Sequence, residues 1–205
     1  MKILNLYAGI GGNRTFWDGH DVTAVEACPE IAEVYQKLYP SDTVVVADAL
    51  TILEHNFANY DLIWASPPCP SHGQYRHNVG VIGKGFDPVM PDMSLYSQIV
   101  FLQHYAKGQW VVENVKPYYE PLIKPSFEMQ RHYFWANFFV PPKDFEKSAI
   151  RTKNKISDFA GHEIIAGSKI KNKRQVLRNC VNPWVGKHIL DSALNSIVKP
   201  EPWNF

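Results

Sequence analysis

The sequence has few cysteines and lacks a long apolar run. Cys28, Cys69 and Cys180 are its only cysteines, and none stands at the short spacing from another that is typical of a metal site. Such an odd, scattered set favours free thiols in a reducing cytoplasm over a disulfide framework. No apolar run approaches the roughly 20 residues that a membrane span needs, and the N-terminus lacks the features of a signal peptide. We therefore expect a cytoplasmic protein with neither a metal nor a membrane partner.

The 205 residues also carry little net charge, +1, but the charge is unevenly distributed. Between residues 143 and 187 there are eleven Lys or Arg and four Asp or Glu, a surplus of seven positive charges, so the remainder carries a net charge of −6. A basic run is often only a solvated face. Here the asymmetry between regions favours a segment that faces a polyanion.

Strand and helix patterns alternate along the first 115 residues. Short β-rich runs occur at Ile3–Tyr7, Val22–Val25, Thr43–Val46, Leu62–Trp64 and Trp110–Val112. Helical spacing occurs between them at Pro29–Leu38 and Met93–Tyr105. This alternation predicts an α/β fold, a mostly parallel sheet with helices on both faces, and ligands on such sheets bind at the carboxyl ends of the strands.

Two later segments lack a clear period. Residues 71–91 hold glycines, prolines and polar side chains, and a loop of this length is usually functional or mobile. Residues 141–175 are basic and weakly periodic. A β-like run then follows at Gln175–Val181, and a helix is predicted at Pro183–Ile197.

The predicted strand ends carry residues that indicate a binding site. The first strand is followed by a glycine-rich turn, residues 7–12, where the backbone can approach a ligand closely. Glu26 ends the second strand and Asp48 follows the third. Such acids accept hydrogen bonds from the ribose hydroxyls and the adenine amino group of a nucleotide. Together these features predict a cofactor that contains adenosine.

A cysteine follows the fourth strand in a proline-rich turn, Ala65-Ser66-Pro67-Pro68-Cys69-Pro70. Prolines fix φ and restrict where the thiol can lie, which favours a nucleophile over a buried core cysteine. The fifth strand ends in Glu113-Asn114-Val115. This acid is predicted to place a carboxyl group beside the Cys69 thiol.

In this order, the motifs resemble those of the DNA cytosine-5 methyltransferases. A strand bearing Arg131 follows the Glu113 motif, and residues 175–180 with the Gly186-bearing helix are similar to the family's closing motifs. The resemblance covers residues 1–139 and about 174–197. It implies a Rossmann-like S-adenosylmethionine-dependent methyltransferase sheet in residues 1–139, a small basic target-recognition region in 140–174 and a closing segment in 175–205.

The resemblance also implies roles for these residues. Cys69 would attack carbon 6 of a cytosine flipped out of double-stranded DNA, which makes carbon 5 reactive toward the methyl group of S-adenosylmethionine. Glu113, with a raised pKa, would hold the ring, and Arg131 would contact O2 and orient Glu113. The implied cofactor-binding residues are Tyr7, Ala8, Gly9, Gly11, Gly12, Glu26, Asp48, Ala49 and Pro67. The expected DNA contacts are Ser71, Gln74, Lys153, Lys155, Lys171, Lys173 and Arg174.

The chain departs from the family pattern in several places. Phe127 and Met129 stand where the family usually has a Gln and a further Arg, and Ala27 stands where a ring often covers adenine. Lys187 replaces the Asn of the last motif and is predicted as a further cofactor contact, whose charge would favour a cofactor with an extra carboxylate. The predicted target-recognition region is short, which leaves three alternatives. The protein could recognise a short target sequence, have relaxed sequence specificity, or depend on a helper protein.

Other functions stay open at this stage. The same chemistry could act on RNA, or the chain could be an inactive DNA-binding relative or a regulatory subunit. The intact Cys69, Glu113 and Arg131 argue against an inactive copy. A nicotinamide-dependent dehydrogenase is suggested only by the glycine turn, which lacks the final spaced glycine of that fingerprint. As a methyltransferase, the protein would act on the nucleoid of a bacterial or virus-infected cell.

Overall fold

The computed structural model describes residues 1–145 and 161–196 and, within them, a seven-stranded sheet. The strands are β1 (Lys2–Leu6), β2 (Asp21–Val25), β3 (Thr43–Val45), β4 (Leu62–Ala65), β5 (Gln109–Val115), β6 (Phe127–Met129) and β7 (His132–Ala136). The α-helices are α1 (Pro29–Leu38), α2 (Ala49–Asn56), α3 (Ser94–Tyr105), α4 (His162–Gly167), α5 (Lys173–Asn179) and α6 (Pro183–Asn195). Short 3₁₀ helices occupy Asn13–Phe16 and Phe57–Asn59, and a π-helix occupies Arg76–Ile82.

The strands are arranged in the order β3-β2-β1-β4-β5-β7-β6. β1 to β5 run parallel to their neighbours, whereas β7 is antiparallel to both β5 and β6. The carboxyl ends of the five parallel strands therefore lie along one edge of the sheet. The predicted α/β sheet is confirmed. The loops after β1 to β4, which carry the predicted residues from Tyr7 to Gln74, leave from this edge, and Glu113 lies at the same edge near the end of β5.

Helices cover both faces of the sheet, because successive side chains of each strand point to opposite sides. On β1, Ile3 packs in a cluster with Ile189 of α6, while the next residue, Leu4, packs with Ile99 of α3. Each of these side chains is almost fully buried. Burying an aliphatic side chain of this size stabilises a fold by about 1.5–3 kcal/mol.

Local signals explain where the main helices begin. Pro29 opens α1 and Pro183 opens α6, at a position where the missing N–H of proline costs no hydrogen bond. The Asn182 side chain also caps α6 by accepting a hydrogen bond from the Trp184 N–H (2.9 Å). Across the described residues, no helix has both the length and the apolar character that crossing a membrane requires.

Gln175–Val181 was expected to be β-like, and this prediction is wrong. Most of the run lies in α5, which begins where the Asn172 side chain accepts a hydrogen bond from the Gln175 N–H (3.2 Å). Leu177 is the buried residue of the helix and packs with Ile10 and Val34. A run of seven residues is too short for its apolar pattern alone to distinguish a strand from a helix, and the packing of Leu177 against α1 favours the helix.

Two further expectations need correction. Arg131 does not lie on a strand but in the turn between β6 and β7, directly after Gln130, which has a positive φ of 53°. The segment 71–91 is not wholly irregular, because it contains the π-helix Arg76–Ile82. In the described part of residues 140–174, Ile165 packs in a cluster with Val34 of α1, and α5 includes position 174; the division into regions stays a prediction.

Gly186 lets α6 approach the first 3₁₀ helix closely. The Trp17 indole N–H donates to the Gly186 carbonyl (3.2 Å), and a Cβ at position 186 would overlap the carbonyl oxygen of Asn13. That oxygen belongs to the backbone, so it cannot move aside cheaply.

We expect Gly186→Ala to destabilise the protein by about 1–3 kcal/mol, because overpacking outweighs the gain of about 1 kcal/mol that alanine brings to a helix. Urea unfolding measures the change. Gly167→Ala is the control, since nothing lies within 4 Å of its added Cβ. Equal unfolding midpoints for both variants and the parent would contradict this packing role.

Candidate active site

Backbone hydrogen bonds join the loops at the carboxyl edge of the sheet. Ala8 N–H donates to the Val25 carbonyl (2.9 Å), and Ser66 N–H donates to the Leu6 carbonyl (3.3 Å). Glu26 N–H donates likewise to the last residue of β3 (3.2 Å). These bonds continue the sheet by one or two residues past the ends of β1, β2 and β4, so the loops that follow these three strands are each held to the neighbouring strand.

The glycine turn has one open side. Tyr7 and Gly9 both adopt left-handed backbone conformations, with φ of 57° and 56°, which glycine adopts freely and tyrosine adopts at a cost. Gly9 N–H donates to one carboxylate oxygen of Glu26 (3.0 Å), and Cys28 N–H donates to the other (2.9 Å). Apart from Gly9 and its two chain neighbours, no atom of the described residues lies within 4 Å of the place where a Gly9 Cβ would stand. The turn therefore presents free space beside an anchored carboxylate.

The other two glycines of the turn serve packing. A Cβ on Gly11 would overlap the Tyr39 ring, and a Cβ on Gly12 would lie 2.6 Å from the Cβ of Cys180. The Tyr39 hydroxyl donates to the Gly11 carbonyl (2.9 Å). Gly11 and Gly12 were predicted as cofactor contacts; the positions of their missing Cβ atoms lie against Tyr39 and Cys180, and contact of their backbone with a cofactor stays a prediction.

A buried ion pair packs against Tyr39, the side chain that bonds to the glycine turn. The Arg14 guanidinium donates to both carboxylate oxygens of Asp42 (2.7 and 2.8 Å), and the Tyr35 hydroxyl donates to the same carboxylate (2.8 Å). Arg14 also lies over the Tyr39 ring, 5.0 Å from its centroid. The sequence analysis did not find this network, because residues 14 and 42 are brought together only by the packing of α1.

Asp48 and Ala49 lie where the sequence placed them, directly after β3. Asp48 caps α2, since one of its carboxylate oxygens accepts hydrogen bonds from the Thr51 N–H (2.9 Å) and hydroxyl (3.1 Å). Asp48 also acts on Tyr7: burial first, and then the charge of Asp48, raises the pKa of the Tyr7 hydroxyl. Asp48 and Ala49 therefore lie at the same carboxyl edge of the sheet as the glycine turn.

The turn that carries Cys69 is held by β5 and by its own backbone. The Asn114 side-chain amide donates to the Pro67 carbonyl (2.9 Å), and the Cys69 carbonyl accepts from the His72 N–H (3.1 Å) and the Gly73 N–H (3.2 Å). Asn114 is buried and Cys69 is partly exposed. The thiol is thus placed in a braced turn that solvent can reach.

Cys69, Glu113 and Arg131 converge at this edge. Burial raises the pKa of the Glu113 carboxyl to about 7, against the opposing effects of a hydrogen bond with Ser66 and the charge of Arg131. Burial and the Glu113 carboxylate raise the pKa of Cys69, and Arg131 lowers it. A helix also holds the Arg131 side chain in place, because its guanidinium donates to the Arg178 carbonyl at the end of α5. The three predicted catalytic residues are therefore electrostatic neighbours.

Two side chains that the sequence analysis missed contact Glu113. Ser66 forms a hydrogen bond with the carboxyl group and accepts another from the Trp64 indole N–H (2.9 Å). His132 Nε2 lies 3.4 Å from Glu113 Oε1. Ser66 stands three residues before Cys69 and His132 directly follows Arg131, so proximity to the motifs was the signal that could have found them.

Ser71 and Gln74 were predicted to contact DNA, and both form hydrogen bonds within the chain. The Ser71 hydroxyl accepts from the Asp92 N–H (3.0 Å), which ties together the two ends of the segment 71–91. The Gln74 amide donates to the Pro117 carbonyl (3.2 Å). His72, between them, is fully buried and bonds through Nδ1 to the Tyr119 hydroxyl (2.6 Å). The start of this segment is therefore anchored to the chain after β5.

Three of the basic residues that were predicted to contact DNA are described by the structure, and they lie at the start of α5. Lys171 and Arg174 are exposed, while Lys173 is half-buried and donates to the Ala166 carbonyl (2.6 Å). Lys153 and Lys155 lie outside the described residues. The exposed part of this group offers positive charge on the side of the molecule where α5 covers α1.

Lys187 forms an ion pair within its own helix. Its ammonium group donates to both carboxylate oxygens of Asp191 (2.9 and 2.8 Å). The positive charge is thus balanced one turn further along α6. This weakens the electrostatic reason for assigning Lys187 a choice between cofactors, and its role stays a prediction.

Comparison with known proteins gives a family match. A profile of the family described as C-5 cytosine-specific DNA methylase matches residues 1–117, and a search of curated proteins found no match. A hypothetical protein of Thermus thermophilus is similar at 17% identity, over 66% of this chain and 73% of its own, with a TM-score of 0.45. A SAM-dependent methyltransferase from Agrobacterium tumefaciens is similar at 17% identity over 58% and 40% of the two chains (TM-score 0.41). A DNMT2 mutant from Spodoptera frugiperda is similar at 24% identity over 56% and 35% (TM-score 0.38).

We expect Arg131→Gln to slow alkylation of Cys69 by iodoacetamide roughly threefold to tenfold at pH 8, because removing a nearby positive charge disfavours the thiolate. Peptide mass spectrometry over time gives the rate for each cysteine. Cys28 in the same sample is the internal control, and Arg131→Lys, which keeps the charge, should react more like the parent. An unchanged Cys69 rate in Arg131→Gln would show that the guanidinium does not act on the thiol.

Proposed function

The chain belongs to the C-5 cytosine-specific DNA methylase family, and we propose that it methylates carbon 5 of cytosine in DNA through a covalent bond from Cys69. The observation that carries this proposal is the convergence of Cys69, Glu113 and Arg131 at one edge of the sheet, beside the glycine turn. A nucleophile, a carboxyl group that can hold a proton near neutral pH, and a cation are the groups that addition to a cytosine ring requires.

Methylases of this family take the methyl group from S-adenosylmethionine, and the residues of this chain fit that cofactor. The open side of Gly9 leaves room beside the Glu26 carboxylate, and Asp48 follows the neighbouring strand. When bound, S-adenosylmethionine supplies an electrophilic methyl group on a sulfonium. The residues that we assign to its binding are Tyr7, Ala8, Gly9, Glu26, Asp48, Ala49 and Pro67, together with the backbone of Gly11 and Gly12, whose lack of a Cβ also lets the turn pack closely.

The Cys69 thiolate would add to carbon 6 of the cytosine ring, because carbon 5 alone is a poor nucleophile. Addition moves electron density to carbon 5 and to N3. Once carbon 5 carries the methyl group, loss of its proton re-forms the double bond and expels Cys69. The braced turn around Cys69 favours this chemistry, since Asn114 and the Cys69 carbonyl hydrogen bonds restrict where the thiol can lie.

Glu113 would offset the charge that addition creates. A protonated carboxyl group can donate to N3, and burial keeps the proton on Glu113 up to a pH of about 7. Arg131 is the candidate to contact O2 of the base, because its charge reaches both Cys69 and Glu113. The carboxyl group and the guanidinium would thus hold the polar edge of the ring while the thiol attacks carbon 6.

Carbon 6 is inaccessible inside a duplex, so we propose that the target cytosine is flipped out of the helix. The segment 71–91 lies next to Cys69 and exposes large apolar side chains, among them Tyr75, Ile82 and Met90. The basic group of Lys171, Lys173 and Arg174 would contact phosphates, and binding would weaken as salt increases. A helper protein for target recognition stays a prediction.

We expect 5-methylcytosine to form when the protein is incubated with S-adenosylmethionine and unmethylated duplex DNA, with nucleosides quantified by mass spectrometry. Cys69→Ala should abolish the product, because the variant lacks the thiol that adds to carbon 6. Cys28→Ala makes the same chemical change at a cysteine away from Cys69 and keeps the backbone N–H that donates to Glu26, so it should retain activity. Methylation of RNA in place of DNA would assign the other substrate, and full activity of Cys69→Ala would refute the covalent route.

The rate should depend on pH through Glu113. The reactive form has a Cys69 thiolate and a protonated Glu113. Below about pH 7 both groups are protonated, so the thiolate fraction and the rate rise with pH; above the Glu113 pKa of about 7, loss of its proton cancels further gain, and the rate levels off. Glu113→Gln should lower the rate roughly 10²–10⁴-fold and let it keep rising with pH. A plateau near pH 7 in that variant would contradict the assignment.

A further inference from the structure

The Glu113 carboxyl meets a second ionisable side chain from the neighbouring strand. His132 Nε2 lies 3.4 Å from Glu113 Oε1, and the two side chains are only 5% and 8% exposed. In the antiparallel pairing of β5 and β7, Glu113 is opposite Phe134 and Val115 is opposite His132. Glu113 and His132 are therefore diagonal neighbours on one face of the sheet, within reach of each other. The sheet register, and not a flexible loop, sets this contact.

We propose that His132 is a positioning residue for Glu113: its Nε2–H donates to Oε1 and leaves Oε2 to present the carboxyl proton to the cytosine. The idea deepens the proposed function and rests on it for the role of that proton. A carboxylic acid can carry its proton on either oxygen. A donor held on one oxygen removes that choice and directs the proton to the other.

The same hydrogen bond would tune when Glu113 releases its proton. A donor to a carboxylate favours the charged form and opposes the effect of burial. In the described part of the chain, the ionisable groups that act on this carboxyl are Arg131 in the β6–β7 turn, Cys69 after β4 and His132 on β7. Ser66 adds a neutral hydrogen bond. Without the His132 donor, Glu113 would keep its proton to higher pH, and fewer molecules would be able to exchange it during turnover.

The ring nitrogen, and not only the ring volume, distinguishes His132 at this position. The residue two places along β7 on the same face is Phe134, whose ring lies 6.3 Å from that of His132 at an interplanar angle of 78°. A phenylalanine at position 132 would fill nearly the same space beside Phe134. His132→Phe therefore removes the proposed donor while changing the packing little, and His132→Gln keeps an N–H donor without a ring.

The test is a ¹³C NMR titration of the Glu113 carboxyl carbon in protein labelled at glutamate, with the resonance assigned by its loss in Glu113→Gln. It requires neither DNA nor cofactor. We expect the titration midpoint of His132→Phe to rise by about one pH unit, the size of one hydrogen bond to a charged group, and that of His132→Gln to stay near the parent. Equal midpoints in His132→Phe and the parent, or a rise in His132→Gln equal to that in His132→Phe, would overturn the proposal.

A second measurement uses the unaltered protein, so it does not depend on whether a variant folds. ¹H–¹⁵N correlation of the histidine ring nitrogens reports the tautomer of His132, which His132→Gln assigns by loss of its signals. We expect a hydrogen on Nε2 at pH 8, and an Nε2 without a hydrogen would refute the proposed donor.

Methylation kinetics separate this inference from the proposed function. In His132→Phe the pH at which the methylation rate stops rising should move up together with the NMR midpoint. An NMR shift in a protein whose parent form does not methylate cytosine would support the His132 contact and refute the proposed function. If the parent protein methylates cytosine but His132→Phe changes neither the pH profile nor the NMR midpoint, the proposed function is supported and the His132 contact is refuted.

Discussion

Parallel hydrogen bonding among β1, β4 and β5 is the constraint on which the site depends. Leu6 is aligned with Ala65, and Ala65 is aligned with Val112, so β1 and β4 end level with each other and with the residue before Glu113, while β5 continues to Val115. The glycine turn, the Cys69 turn and Glu113 therefore start from a common line, although more than a hundred residues separate the first from the last. The Asn114 side chain, at the end of β5, then holds the Cys69 turn in place by donating a hydrogen bond to the Pro67 carbonyl.

Burial from water at that edge raises the pKa of the two ionisable groups that we assign to the reaction. Burial disfavours the charged forms of both Glu113 and Cys69, and each negative charge would further disfavour the other. Arg131 is the cation that opposes both effects, and its anchor on the Arg178 carbonyl lies in a helix remote in sequence. The site is thus built to keep one proton between the acid and the thiol, which suits addition to a ring that must receive a proton as it gains charge.

Residues 161–196 complete the site from the other end of the chain. Cys180 lies against Gly12, Gly186 against Asn13, and Leu177 against Ile10. The residues 175–180 and the Gly186-bearing helix, which the sequence analysis compared with closing motifs, therefore pack onto the glycine turn and the 3₁₀ helix that follows it. The local pattern still misled on secondary structure, because the seven residues of Gln175–Val181 are too few to distinguish a strand from a helix, and contact with α1 favours the helix.

The sequence by itself determined the parallel sheet, because buried strands and amphipathic helices leave strong periodic patterns, and it determined the order of Gly9, Cys69 and Glu113 at successive strand ends. It also marked Arg131, although not its place in a turn. Only the tertiary structure decided that Gly11 and Gly12 lie against Tyr39 and Cys180, that Arg14 pairs with Asp42, and that His132 meets Glu113. These contacts join residues distant along the chain, and their formation depends on strand register and helix packing, which a local pattern does not encode.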